Sequence, residues 1–169
     1  METSKWFDRK FDLSFSTDKY TAVYKRLEQA PDRLKNIIIS LPEDMLVRKP
    51  DGKWSIKEHT GHLSVLEPIW RIRFQDIRES KPVLTPADLD NRATTEAGFN
   101  KNTVSALLER FVEERKATLS LLNNIDVLDE SRTSMHPRLQ QPMRIIDLAY
   151  FVAEHDDHHM TMIQEISGQ

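Results

Sequence analysis

The chain contains no cysteine. That absence removes disulfides, thiolate metal sites and a cysteine nucleophile together, and it fits a cytoplasmic protein. Only four glycines occur in 169 residues, and neither GxGxxG nor GxxxxGKS/T is present, so glycine-rich phosphate loops are excluded. No apolar run approaches the length of a bilayer span, and the opening METSKWFDRKFD lacks the apolar core of a secretory signal. Positive charge is not in excess either. A net charge of -3 leaves no basic footprint for nucleic acid. These absences predict a cytoplasmic protein with neither nucleic acid nor membrane as a partner.

What is present reads as helix. The length suits one domain with a sizeable core, residues 1–169, in which residues 1–16, with Trp6 and three phenylalanines, form a leader packed on the rest. From Thr17, Tyr20, Val23, Tyr24 and Leu27 recur at helical spacing; Pro31 favours a new helix start, and Leu34, Ile37, Ile38 and Leu41 continue one face. Ser55-Ile-Lys-Glu58 is a capping box, because serine and glutamate can each satisfy the other's free backbone N–H. It opens a second helix with a stripe of Ile56, Leu63, Leu66, Trp70, Phe74 and Ile77, which Pro68 is expected to interrupt and bend. Residues 79–102 read as a long connection. A third helix carries Val104, Leu107, Leu108, Phe111, Leu119 and Leu122, and a fourth runs from about Met143 to Ile166. Four amphipathic helices without a convincing alternating strand predict an all-α four-helix bundle.

The fourth helix carries AEHDDHHMTMIQEI. Its inward stripe reads Ile145, Leu148, Val152, His155, His159, Met162 and Ile166, so two consecutive core positions are histidine. Residues four apart lie about 40° around and about 6 Å along a helix, so both imidazoles can reach one point. Imidazole is the commonest nitrogen ligand for zinc and nickel. A pair of buried histidines satisfied by neighbours is the plainer explanation, and a metal needs a third ligand. KEHTGHL on the second helix offers His59 on the stripe or His62 on its flank. Either meets His155 and His159 only if the second and fourth helices are antiparallel. That requires an up-down-down-up order with a long crossover between helices two and three, where the chain has its longest connection. This arrangement places Asn91, Arg92, Asn100 and Asn102 near the mouth of the site and His136 at the far end. His158, Asp156 and Asp157 read as solvent-side groups, although one aspartate could orient a ligand histidine. Glu58 is explained by its cap, and Glu67 precedes a proline, so neither is assigned as general base. No Ser-His-Asp arrangement is credible from spacing.

KWSIKEHTGHL together with HPRLQQPMRIIDLAYFVAEHDDHHMTMIQEI resembles the DinB superfamily of helical bundles, a family distinct from the translesion polymerase of the same name. WFDRKFDLSF and ADLDNRAT are similar to segments of one branch of it. The resemblance implies the up-down-down-up bundle and a divalent metal, zinc or nickel, held by His62, His155 and His159. It further implies a metal-dependent enzyme acting on a small-molecule substrate, by hydrolysis or by transfer of a low-molecular-weight thiol, and a homodimer. Three neutral ligands leave an ion an open coordination position, the catalytic pattern. Since the chain lacks cysteine, a thiol nucleophile must come from a cosubstrate. The alternative is a non-catalytic metal- or ligand-binding module.

Overall fold

The computed structural model describes residues 6–168. Its helices are α1 (Tyr20–Ile38), α2 (Glu43–Val47), α3 (Ile56–Arg78), α4 (Arg92–Glu96), α5 (Val104–Leu122) and α6 (Ile145–Ser167). Two-residue strands β1 (Ser134–Met135) and β2 (Pro142–Met143) pair antiparallel in the loop before α6. The four long helices form the bundle: α3 packs on α5 and α6, and α1 packs on α6 and α5.

The buried apolar residues fall into two clusters. One joins Trp70, Phe74 and Ile77 from the second half of α3 to Ile145, Leu148 and Phe151 from the first half of α6. The other joins Ile56 and Leu63 from the start of α3 to Met160, Ile163 and Ile166 from the end of α6. The start of α3 therefore lies beside the end of α6. Residues 1–5 of the leader lie outside the described residues; from the rest of it, buried Phe11 joins the first cluster and Trp6 packs at a tilt against Phe151, 5.1 Å between ring centroids.

The capping box at Ser55 forms as expected. Glu58 N–H donates to Ser55 Oγ at 3.2 Å and Ser55 N–H donates to Glu58 Oε2 at 2.8 Å. Pro31 does not start a new helix, because α1 runs through it. A proline inside a helix leaves the carbonyl four residues back without its N–H partner. That carbonyl belongs to Leu27, and Arg115 Nη1 of α5 donates to it at 2.8 Å. Pro68 likewise lies within α3, which continues to Arg78 instead of being interrupted.

Arg115 is the centre of a buried charge cluster. Its Nε and Nη2 donate to Glu67 Oε1 at 2.9 and 2.6 Å, and Nη2 lies 2.8 Å from Asp156 Oδ2. All three residues are buried. Asp156 is thus a core residue, not the solvent-side charge its neighbours suggested. Asp157 is half-buried and pairs with Arg26 at 2.6 Å and Arg33 at 2.8 Å.

Gly61 fixes the crossover between α3 and α5. A Cβ there would lie 2.5 Å from the Phe99 ring, so only glycine lets this ring rest on the start of α3. Ser55 Oγ adds a tie by donating to Asn100 Oδ1 at 2.6 Å. Both contacts hold the crossover against the end of the bundle where the histidines meet.

Candidate metal centre

His62 lies in the second turn of α3, and His155 and His159 lie one turn apart on α6. The packing of early α3 on late α6 brings one ring nitrogen from each residue within 4.8 Å of the other two. His155 Nε2 and His159 Nε2 are 3.1 Å apart. All three side chains are buried.

The remaining ring nitrogens show how the imidazoles are held. His62 Nδ1 lies 2.8 Å from Thr94 Oγ1, which leaves Nε2 as the nitrogen free to face an ion. His159 Nδ1 lies 2.8 Å from His59 Nδ1, so His59 stands behind the cluster as a partner to one of its rings. His155 Nδ1 is buried with no hydrogen-bond partner among the described residues. Trp54 walls the cluster, 4.7 Å from His62 and stacked on His159 at 6.1 Å. Trp6 closes the side of His155 at 5.2 Å.

Burial determines the charge of these rings. It pushes His62 down to about 3, helped by His59 and His158, and His59 down to about 4, helped by His158 and opposed by Glu58. His155 and His159 lie well below the ordinary value for the same first reason, with neighbouring imidazoles adding to it. All four are neutral at pH 7, the state a ligand histidine needs.

The donor set fits a divalent ion. Two nitrogens each about 2.05 Å from a tetrahedral ion stand roughly 3.3 Å apart, close to the 3.1 Å found between the two Nε2 atoms. Among the described residues this is the group of histidines and carboxylates arranged to hold an ion. It offers three ring nitrogens, and an ion held by three protein ligands keeps a coordination position open.

The cluster lies in the wall of a cavity of about 460 Å³ lined mainly by aromatic and apolar groups, with Trp6, Trp54 and Trp70 among them. Of the residues expected at its mouth, Asn91 lines it, Asn100 holds Ser55 instead, and Arg92 and Asn102 are exposed. His136 is not at a far end. The Val83–Met135 bridge and the β1–β2 pair fold its loop back, and His136 lines the same cavity, its ring 5.0 Å from Phe151. His158 is half-buried against Trp6 and also lines it. Glu58 is engaged by its cap and by Lys49 at 2.8 Å, and Glu67 by Arg115. Thr94, Trp54, Arg73 and Arg138 escaped the sequence reading, since nothing in local spacing shows which loop residues arrive at the cavity.

A helical bundle with a buried three-histidine cluster in the wall of a cavity of about 460 Å³ defines the class. The sequence matches the model of the DinB superfamily over residues 26–163, and the chain belongs to that family. Among solved structures it is similar to YfiT from Bacillus subtilis, with a TM-score of 0.78 and 23% identity over 95% of this chain and 92% of that one. YfiT is described as a probable metal-dependent hydrolase with an unusual four-helix bundle topology. Among curated proteins none matches the sequence. No helix among the described residues is long and apolar enough to cross a membrane.

Proposed function

We propose that this protein is a divalent-metal-dependent enzyme acting on small molecules, by hydrolysis or by transfer of a low-molecular-weight thiol. The observation that carries the reading is the buried cluster of His62, His155 and His159 in the wall of a 460 Å³ cavity. In this reading those three residues are the metal ligands and zinc or nickel is the ion. A bound divalent ion supplies Lewis acidity there, polarising a carbonyl or lowering the pKa of a water or thiol.

The chain's own residues prepare that chemistry. With His62 Nε2 turned to the ion, Nδ1 carries the proton and donates to Thr94 Oγ1. With His159 Nε2 turned to it, Nδ1 donates to His59 Nδ1, which fixes both tautomers. Trp54, Trp6 and Trp70 exclude water from the substrate side and offer flat apolar surface to its body. The helix order is read as up-down-down-up, supported by the packing of early α3 on late α6. The unit is read as residues 1–169, a cytoplasmic homodimer.

One observation favours the second reading, a binding module without turnover. The two glutamates nearest the α3 histidines are both committed elsewhere, Glu58 to its cap and Glu67 to Arg115. Untagged protein loaded with zinc or nickel separates the readings. The enzyme hydrolyses ester or amide substrates, or conjugates a thiol to an electrophile, in the loaded wild type and not after chelation or in His62→Ala. A module binds one equivalent of metal and turns over neither substrate class.

A further inference from the structure

Beyond the histidine cluster, three hydrogen-bond donors belong to residues lining the same cavity, with no oxygen to accept from them. His136 Nδ1 accepts from the backbone N–H groups of Arg138 and Leu139, each at 3.2 Å. A nitrogen that accepts twice carries no proton, so the neutral ring holds its proton on Nε2. Arg73 Nη1 lies 3.3 Å from that Nε2. Guanidinium has no acceptor, so the pair is donor against donor, and both groups await an oxygen from elsewhere. The third donor is Arg138 Nη2, buried and without a partner among the described residues.

Neither arginine has a carboxylate in ion-pair range among the described residues. Arg73 spends Nε on Thr85 O at 2.8 Å, and Arg138 spends Nη1 on Phe7 O at 3.0 Å. Arg73 and His136 are each only 3% exposed. A buried cation with no carboxylate in ion-pair range is costly, and its electrostatic consequences show here. Burial lowers Arg73 to about 10, with Asp76 opposing and Arg138 adding to the fall. The one acidic residue lining the cavity among those described is Asp88, exposed at the rim, with both oxygens accepting from backbone N–H groups of Asp90 and Arg92.

We propose that Arg73, Arg138 and His136 form the receptor for an oxyanion head group, carboxylate or phosphate, on the small molecule this cavity takes. The cavity then reads as a bipolar site. The anionic head meets the three donors, the apolar body lies along Trp70 and Phe151, and the other end faces the histidine cluster. Trp70 spans the two halves, its ring 5.4 Å from the Arg73 guanidinium carbon and 5.6 Å from the His155 ring. The proposal rests on the small-molecule reading of the cavity, but the receptor is independent of whether metal binds.

All three tryptophans of the chain line the cavity, so their fluorescence reports occupancy. The probes are 3-phenylpropionate and phenyl phosphate, each titrated beside a neutral analogue, 3-phenylpropanamide and phenol. At least one anion is expected to bind about tenfold tighter than its neutral analogue, as charge-assisted hydrogen bonds require. That preference is expected to persist in metal-free wild type and in His62→Ala. Arg138→Gln, at a half-buried position that leaves the core intact, is expected to reduce it to about threefold or less, and Arg73→Gln to do so further. Equal binding of anions and neutral analogues overturns the proposal. So does an anion preference that vanishes with the metal, or one that folded Arg138→Gln leaves untouched. Absence of metal binding, with the anion preference retained, would instead overturn the metal-enzyme reading alone.

Discussion

His159 touches four other histidines, His59, His62, His155 and His158, and its two nitrogens face different ones. Nε2 faces His155 and Nδ1 faces His59. The roles assigned to these residues differ in what their loss does. His62→Ala is expected to reduce metal content from about one equivalent to near none in untagged protein. His59→Phe and Thr94→Val keep all three ligands and remove only groups that orient them, so stoichiometry stays near one while affinity falls about 10- to 100-fold. Competition with a chromogenic chelator measures both. His136 gives a prediction in pH. Burial, with Arg73 and Arg138 adding, pushes it down to about 3 in the folded protein, while the unfolded chain binds a proton near pH 6.5. Between those values the unfolded state holds more protons, so stability falls as pH falls. His59 and His62, depressed to about 4 and about 3, act in the same direction. Metal-free protein is expected to lose about 1.4 kcal/mol per pH unit for each such histidine below about pH 6. Urea melts between pH 7 and 5 check this, and a flat profile would refute neutral burial.

At the level of elements, the buried Arg115 does two tasks for α1 and α6. It accepts the place that Pro31 leaves at the Leu27 carbonyl, and it lies between the carboxylates of Glu67 and Asp156. Burial pushes the Asp156 carboxyl up, with Arg115 opposing and Glu67 adding to the rise, so the arginine is what keeps two acids together in the core. Arg115→Met removes it and leaves both acids unpaired. The expected cost is about 3–5 kcal/mol by urea denaturation. The second element-scale device is the Phe99 ring on Gly61. Gly61→Ala forces that ring away and is expected to cost about 1–3 kcal/mol. Because the same crossover carries Thr94 to His62, the variant should also weaken metal binding, and a calorimetric titration reads that directly.

Across the whole molecule, the three-histidine cluster joins α3 to α6 at the end where the crossover also packs. A ligand that binds only the folded state stabilises it by RT ln(1 + [L]/Kd), about 2.7 kcal/mol at a hundredfold excess over Kd. For a chain of this size that corresponds to a rise in melting temperature of about 5–10 °C on metal addition, reversed by chelation. His62→Ala should show neither shift.

Much of this arrangement is carried by local pattern. The 3.6-residue periodicity, the capping box at Ser55 and two histidines in the inward stripe of α6 are properties of single segments, and they determined by themselves four helices and a candidate pair of imidazoles. Motif resemblance then singled out His62 over His59, and tertiary packing put His62 with the pair and His59 behind it. Packing alone decided the rest, because each outcome depends on a partner distant in sequence. Pro31 is tolerated because Arg115 reaches its orphaned carbonyl. Asp156 is buried because the same arginine awaits it, and His136 enters the cavity because its loop folds back. Arg73 and Arg138 share that cavity across a separation in sequence that no local spacing records.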